Sequence, residues 1–219
     1  MNKAILNINL YKKLLPNYVI NWEVWEREIQ QYLELLKEWN PLAGLVSSKD
    51  LVQGCVQHIE DSLSLVQYVL QEEIEEGKSI WLDIGSGGGF PAVPILLAKK
   101  NISTVLVERK SKKAGFLQLV VGKFQFNNTK VLCSAFPQCL QEMSDADNNI
   151  RVITARGVEE PEKLARFLNR WLPEGTKFIN QSPNIHKLFD DKKFKKELIE
   201  DEFTKQGLRR GTLTIIQRI

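Results

Sequence analysis

A cluster of four glycines behind a short apolar run constrains this chain more than any other feature. Residues 80–84 read as a buried strand interrupted only by Asp83, and glycines then stand at positions 85, 87, 88 and 89. Glycine adopts positive φ and lets a ligand lie against bare backbone, while the first N–H groups of a following helix are unpaired. The segment therefore predicts a strand–loop–helix unit that binds a nucleotide-type ligand.

The spacing of the glycines separates two classes of ligand. A dinucleotide fingerprint needs a Gly or Ala three residues after its second glycine, beneath the pyrophosphate, and Phe90 stands there instead. The glycines at 85, 87 and 89 follow the D-x-G-x-G-x-G pattern of S-adenosylmethionine-dependent methyltransferases. S-adenosylmethionine is therefore the expected cofactor, and an NAD-dependent oxidoreductase is disfavoured. The predicted contacts in this loop are Asp83, Gly85, Ser86, Gly87, Gly89 and Phe90, although bracing the loop is the other role open to Asp83.

Segments on both sides of the loop resemble one protein family. They are His58-Ile59-Glu60-Asp61-Ser62-Leu63, Phe90-Pro91-Ala92-Val93-Pro94, Lys112-Lys113 with Phe116-Leu117, and Ala155-Arg156-Gly157. From about Trp22 to Phe178 the chain resembles the bacterial small-subunit ribosomal RNA guanine-N7 methyltransferases, the RsmG (GidB) family. The resemblance implies an α/β class I methyltransferase fold, with a seven-stranded, mostly parallel Rossmann-like sheet and an N-terminal helical cap. It also implies methyl transfer to a guanine N7 in 16S rRNA of the small ribosomal subunit.

Other predicted site residues follow the second, third and fourth strands. Glu108 ends the second strand, where a carboxylate can accept hydrogen bonds from a ribose diol; an ordinary charge at a strand end is the alternative. The resemblance places Ala135 and Phe136 at the adenine, where Phe136 offers an aromatic ring for stacking in place of the family's Arg and Glu. Arg156 is also counted among the predicted cofactor contacts. It could hold a phosphate or a guanine O6 and position the substrate, or it could pair with Glu159 or Glu160.

A cluster of cations opens the helix after the second strand, and the helix dipole disfavours them there. We therefore predict that they contact RNA phosphate, with a solvated turn as the alternative; the residues are Arg109, Lys110, Lys112 and Lys113. The chain also departs from the family at Gly44-Leu45-Val46, where the family has Asn-Leu-Thr, and at Gln181-Ser182, where it has Lys-Gly. Another RNA or small-molecule substrate, and a non-catalytic RNA-binding role, therefore stay open.

The sequence shows no strong candidate for a general base. His58 and Asp61 lie three residues apart on one predicted helical face, and we assign them to bracing the cap against the core. Guanine N7 has a free lone pair, so its methylation needs alignment with the cofactor and no prior removal of a proton.

Composition limits the remaining possibilities. A chain of 219 residues suits one folding unit, which we divide into a cap (1–77) and a core (78–219). The 30 Lys+Arg against 27 Asp+Glu give a net charge of +3, so any basic face must be local. Three cysteines without metal-ligand spacing suggest reduced thiols and no metal site. No apolar run suits a signal peptide or a membrane span, and we expect a cytoplasmic monomer.

Hydrophobic periodicity predicts the order of the elements. Helices are expected at Asn21–Trp39, along Cys55 to Leu70 up to Gly77, and at Pro91–Lys99, Lys112–Phe124 and Pro161–Leu172. Asn40-Pro41 is expected to end the first helix, whose apolar stripe includes Tyr32, and Phe167 belongs to the apolar stripe of the last. Asn184 to Lys205 carries a weak helical signal, and its lysines at 192–196 suit a solvated face. The segment from Gly211 suits an antiparallel edge hairpin. Strands are expected at Ser79–Ile84, Thr104–Glu108, Lys130–Cys133, Ile150–Ala155, Lys177–Asn180 and Thr212–Gln217.

Overall fold

The computed structural model describes residues 6–19, 21–72, 74, 79–143 and 149–219. Within these ranges one sheet has the strands β1 (Ile80–Ile84), β2 (Thr104–Val107), β3 (Thr129–Leu132), β4 (Ile150–Ala155), β5 (Lys177–Asn180), β6 (Phe194–Ile199) and β7 (Leu213–Arg218). Their spatial order is β3-β2-β1-β4-β5-β7-β6. β1 to β5 run parallel, whereas β7 is antiparallel to β5 and β6. The predicted seven-stranded, mostly parallel sheet is confirmed.

The sheet carries apolar side chains on both faces, so helices cover both. The helices are α1 (Ile8–Leu14), α2 (Trp22–Ala43), α3 (Ser48–Val52), α4 (Val56–Leu63), α5 (Val66–Leu70), α6 (Ala92–Ala98), α7 (Ser111–Phe124), α8 (Pro161–Trp171) and α9 (Glu202–Lys205). Trp81 packs into a core with α1, α2, α4, α6 and α7, while Leu82 packs on the other face with α8. This alternation is the period-2 pattern of a strand buried on both sides.

The helix predicted at Asn21–Trp39 is present as α2, but it ends later than expected. Asn21 caps it, accepting hydrogen bonds from the N–H groups of Glu23 and Val24. The sequence suggested that Asn40-Pro41 would end this helix, and that expectation is wrong. The helix continues to Ala43 and is capped by Gly44, which has a φ of 60°. The Asn40 side chain accepts hydrogen bonds from the N–H groups of residues 45 and 46. It therefore stabilises the turn that follows the helix.

The single helix predicted from Cys55 to Leu70 is also divided in two. Ser62 donates a hydrogen bond to the carbonyl of His58, and Ser64 donates one to the carbonyl of Asp61. Serine hydroxyls that bond to nearby carbonyls compete with a regular helix, and α4 ends at Leu63 before α5 begins at Val66. The predicted stop at Gly77 lies outside the described residues.

Residues 184–205, given a weak helical prediction, hold the edge strand β6. It pairs along its length with β7, a partner that a local pattern does not reveal. Lys192, Lys193 and Lys195 are exposed, in agreement with the predicted solvated face, whereas the Lys196 side chain is only 12% exposed and pairs with Asp191. Lysines on an edge strand discourage pairing with another chain. The six strands that were predicted are confirmed to within one residue at each end.

Among the residues that the structure describes, no helix is both long and apolar enough to cross a membrane.

Candidate functional site

A cleft of about 780 Å³ opens at the carboxyl ends of the parallel strands, the edge where open α/β sheets bind ligands. Eight of the ten predicted cofactor contacts line it: Gly85, Ser86, Gly87, Phe90, Glu108, Ala135, Phe136 and Arg156. Of the predicted RNA contacts, Arg109, Lys110 and Lys113 line it too, while Lys112 is exposed outside it. The topology therefore brings the loops that follow β1, β2, β3 and β4 into one site.

Glu108 ties the glycine loop to the end of β2. Its Oε2 accepts a hydrogen bond from the N–H of Gly87 at 3.0 Å, and its Oε1 accepts one from the N–H of Lys110 at 2.8 Å. Gly87 has a φ of +56°, a conformation that favours glycine. The carboxylate is buried yet lines the cleft, so it can accept hydrogen bonds from a ligand as well.

Asp83 lies beneath the loop, away from the cleft, in a buried chain of hydrogen bonds. Trp81 Nε1 donates to Thr154 Oγ1 at 2.8 Å, and Thr154 Oγ1 donates to Asp83 Oδ1 at 2.5 Å. Asp83 Oδ2 has no hydrogen-bond partner within the described ranges. Burial raises the pKa of Asp83 to about 6. Within the described ranges the Asp83 side chain therefore bonds to β4 and accepts no backbone N–H of the glycine loop, which is the bracing contact that the sequence left open.

Gly89 also lies outside the cleft lining, and its missing side chain serves helix packing. A Cβ at this position would come within 2.6 Å of Val93 Cγ2 and 3.2 Å of the Tyr32 hydroxyl. Gly88, which the spacing argument did not select, lines the cleft instead. Glycine spacing thus identified the loop, but not which of its residues face the ligand.

The cap helix α2 holds the loop in place through Tyr32. The hydroxyl of Tyr32 donates a hydrogen bond to the carbonyl of Gly88, and its ring meets the ring of Phe90 edge-on, with centroids 5.5 Å apart. The sequence identified Tyr32 only as part of an apolar stripe. Its hydroxyl contact joins residues 56 positions apart, and no local signal could have revealed it.

Arg156 is held against Phe90 by two residues of α4. Its Nη1 donates to Asp61 Oδ2 at 3.2 Å and its Nη2 lies 2.8 Å from His58 Nδ1, with the guanidinium carbon 5.5 Å from the centre of the Phe90 ring. The alternative of an ion pair with Glu159 or Glu160 is therefore wrong. His58 and Asp61 do join cap to core, but both also line the cleft.

The protonation of His58 follows from its two neighbours. Nδ1 faces the guanidinium of Arg156, so it acts as the acceptor, and Nε2 lies 3.3 Å from Asp50 Oδ2 and carries the proton. Burial, followed by the charge of Arg156, lowers the pKa of His58. A neutral imidazole thus fixes Arg156, and Asp50 fixes the tautomer.

Arg210, in the loop before β7, is a site residue that sequence reasoning missed. Its Nη2 and Nε lie 3.0 and 3.1 Å from Asp61 Oδ2, and its N–H donates to Asp61 Oδ1 at 2.9 Å. It lines the same cleft. The 149 residues that separate it from Asp61 explain why no motif indicated it.

The predicted basic edge of the cleft is partly neutralised. Glu159 pairs with Arg109, and with Lys110 at 3.0 Å, and these contacts, the Lys110 hydrogen bond foremost, lower the pKa of Glu159. Lys113 also lines the cleft. Three of the four predicted cations, Arg109, Lys110 and Lys113, therefore lie at the cleft.

An aromatic wall closes another side. Phe136 meets Phe167 and Trp171 edge-on, at centroid separations of 5.2 and 5.7 Å. Phe136 and Phe167 both line the cleft, although the sequence assigned Phe167 only to the apolar stripe of α8. These contacts fix the Phe136 ring in place for a planar ligand.

Comparison with known proteins places the chain in a family. The family described as GidB, rRNA small subunit methyltransferase G, matches residues 26–206. This protein belongs to that family. Among its curated relatives, the ribosomal RNA small subunit methyltransferase G of Paracoccus denitrificans is 29% identical over 154 residues, which cover 70% of this chain and 74% of the relative.

Solved structures agree on the fold. A proposed O-methyltransferase from Klebsiella pneumoniae gives a TM-score of 0.59 at 12% identity, covering 96% of each chain. A proposed methyltransferase from Streptococcus mutans in complex with S-adenosylhomocysteine gives 0.52 at 12% identity, covering 72% of this chain and 98% of that one. The predicted class I methyltransferase fold is confirmed. As a GidB-family member, the protein is an S-adenosylmethionine-dependent methyltransferase.

Proposed function

We propose that this protein transfers a methyl group from S-adenosylmethionine to N7 of one guanine in the 16S rRNA of the small ribosomal subunit. One observation carries the choice of N7: the acid–base candidates deep in the described cleft are already paired. His58 Nδ1 accepts from Arg156, Asp61 is shared by two arginines, and Glu108 accepts two backbone N–H groups. A site without a free base suits an atom that needs no proton removed before it reacts.

The cleft fits S-adenosylmethionine in size and in donor chemistry. Its volume of about 780 Å³ lies within the range of roughly 300–1,000 Å³ common for small-molecule sites. Glu108 would accept hydrogen bonds from the ribose hydroxyls, the loop at Gly85 and Gly87 would lie along the cofactor, and Ala135 with Phe136 would contact the adenine. When bound, the cofactor supplies an electrophilic methyl group on a sulfonium.

The role of Arg156 is to orient the guanine. A guanidinium can donate to O6, the acceptor next to N7, and the Arg156 guanidinium is held over the Phe90 ring at the cleft. Attack by N7 creates positive charge on the ring. Asp61 lies against Arg156, and its negative charge offsets part of the repulsion between the guanidinium and that ring.

The test compares substrates and one variant under identical conditions. Labelled S-adenosylmethionine is incubated with unmodified small subunits, free 16S rRNA and large subunits. We expect label in small-subunit RNA alone, and about 100-fold slower transfer by Arg156→Ala with S-adenosylhomocysteine affinity kept. The matched control, Arg170→Ala, removes an exposed charge on α8 and should react normally. Tight cofactor binding without transfer to any RNA would favour a small-molecule substrate or a non-catalytic RNA-binding role.

We further propose that the protein acts as a cytoplasmic monomer, since its substrate is assembled there. Exposed large apolar side chains in the described ranges lie on separate elements, as Leu42, Val52, Leu188 and Leu198 illustrate. Single exposed apolar side chains of this kind are usual on the surface of a monomeric protein. Light scattering should give the mass of one chain, and twice that mass would contradict the proposal.

The cap (1–77) and the core (78–219) are proposed to fold as one unit. Trp25 of α2 donates to the carbonyl of Pro94 at 3.0 Å, Lys100 pairs with Glu28 at 2.6 Å, and cap and core share one buried apolar cluster. Expressed alone, residues 78–219 would expose that face and should lack a cooperative unfolding transition. A fragment that unfolds cooperatively and binds S-adenosylhomocysteine would contradict the proposal.

A further inference from the structure

Two guanidinium groups share one carboxylate at the mouth of the cleft. Asp61 Oδ2 lies 3.2 Å from Arg156 Nη1 and 3.0 Å from Arg210 Nη2, and the Asp61 side chain is only 5% exposed. One negative charge therefore faces two positive charges at contact distance. A carboxylate cannot neutralise both, so this group of three side chains carries an excess positive charge.

One neighbouring carboxylate, Asp50, lies close enough to Arg210 for their charges to interact, but in the described ranges it contacts neither guanidinium. His58 touches both arginines and is neutral, because burial and the charge of Arg156 lower its pKa. Asp50 lies on the far side of the imidazole, 3.3 Å from Nε2, where it also accepts a hydrogen bond from Ser47. The guanidinium groups therefore face the cleft without a second carboxylate in direct contact among the described residues.

The two arginines differ in depth and in the donors that remain. The Arg156 side chain is 18% exposed and lies against Phe90, whereas the Arg210 side chain is 51% exposed. Arg210 uses Nε and Nη2 on Asp61, and no hydrogen bond from its Nη1 occurs within the described ranges. Asp61 thus orients Arg210 and leaves one donor edge of the guanidinium turned to the opening.

We propose that Arg210 binds a backbone phosphate next to the target guanosine, while Arg156 holds the base. A guanine that enters a deep cleft brings its own sugar and phosphate to the opening, and phosphate contacts set the position of the chain while base contacts select the nucleotide. A pre-oriented guanidinium suits a phosphate well because it offers parallel donors. This inference rests on the proposed function, since it takes RNA as the substrate.

The test removes the charge of Arg210 by substitution. The affinity of each variant for RNA is then measured at a series of salt concentrations. Arg210→Gln should raise the RNA KM about tenfold with a smaller change in kcat, and lower the salt-dependence slope of RNA binding by about one unit. Arg210→Lys keeps the charge and should keep the slope while binding less tightly. Arg170→Gln removes an exposed charge elsewhere and should match the wild type.

S-adenosylhomocysteine affinity and thermal stability separate a phosphate contact from a structural brace. Both should stay at wild-type values in Arg210→Gln. An unchanged RNA KM and slope would overturn the inference, and so would parallel losses of cofactor affinity and stability, because Arg210 would then only support Asp61. The slope is measured on the RNA that the wild type binds, so methylation of a different atom would refute the proposed function and leave this result interpretable.

Discussion

The backbone at Gly87 allows a direct test of the cofactor site at the scale of a single residue. A side chain there would be strained at a φ of +56°, and its Cβ would lie 3.9 Å from Glu108 Oε2. We expect Gly87→Val to lose at least about 100-fold in S-adenosylhomocysteine affinity, because it distorts the loop and fills space beside Glu108. Calorimetric titration measures this affinity.

Gly122 offers a matched control within α7. Its φ is ordinary and nothing lies within 4 Å of a Cβ built there, so Gly122→Ala should bind normally and be more stable by roughly 0.5–1 kcal/mol. Normal binding by Gly87→Val would show that the ligand lies elsewhere.

The buried carboxyl of Asp83 predicts a specific dependence of stability on pH. Burial raises its pKa to about 6, whereas the pKa of an Asp in an unfolded chain is about 3.9. As pH rises, Asp83 loses its proton in the unfolded chain before it does so in the folded protein, and this favours unfolding. The contribution of Asp83 to stability is therefore greatest below about pH 4 and falls between about pH 4 and 6. Asp83→Asn cannot titrate. Its stability relative to the wild type should therefore rise across this window by up to roughly 1.4 kcal/mol per pH unit.

Urea unfolding of both proteins at a series of pH values measures this difference. Parallel stability curves from about pH 4 to 7 would contradict the buried, proton-holding state of Asp83.

At the residue scale, the sequence predicted where the site lies better than it predicted which side chains contact one another there. Glu108 and Arg156 follow strands, and parallel strands end at one edge, so their convergence could be predicted. Tyr32 and its partner Gly88 are 56 positions apart in the sequence, and Arg210 and its partner Asp61 are 149 positions apart. Only the tertiary fold reveals these contacts. Asp83 and Gly89 belong to the motif but lie beneath or behind the loop, because spacing does not say which side of a loop meets the ligand.

At the scale of elements, the cap helix α2 acts as a support for the glycine loop. Tyr32→Phe keeps the ring contact with Phe90 but removes the hydrogen bond to the Gly88 carbonyl. We expect a loss of about 1 kcal/mol in stability and a several-fold weaker S-adenosylhomocysteine affinity, measured by thermal unfolding and calorimetry. Tyr18→Phe, which removes an exposed hydroxyl contact with Gln71, is the control. Equal effects from both variants would contradict a specific role for α2.

Elements that depend on local pattern were predicted well, and those that depend on distant partners were not. The parallel strands β1 to β5 are apolar runs between turn signals, and the apolar stripe of α2 recurs at helical spacing. The strand β6 is rich in lysine and forms because β7 pairs with it. The end of α2 was misplaced because the preference of Gly44 for a left-handed turn outweighed the stop expected at Pro41.

At the scale of the whole molecule, charge is distributed locally. The net charge is only +3, yet several cations gather beside the cleft. We expect Lys112→Ala combined with Lys113→Ala to lower the salt-dependence slope of RNA binding by about one to two units. Lys192→Ala with Lys193→Ala, on the distant sheet edge, should leave the slope unchanged. If only the second pair lowered it, RNA would bind along β6.

The most direct test of the central claim is the position of the transferred methyl group. Small subunits are incubated with labelled S-adenosylmethionine, and the RNA is then treated with aniline, which cleaves the strand where a cationic N7-methylguanine has lost its base. We expect one cleavage site that carries the label, formed at a rate that changes little between about pH 7 and 8.5, because His58 is neutral there and no side chain must first accept a proton. Label on an exocyclic amine, a base carbon or a ribose oxygen would contradict the account.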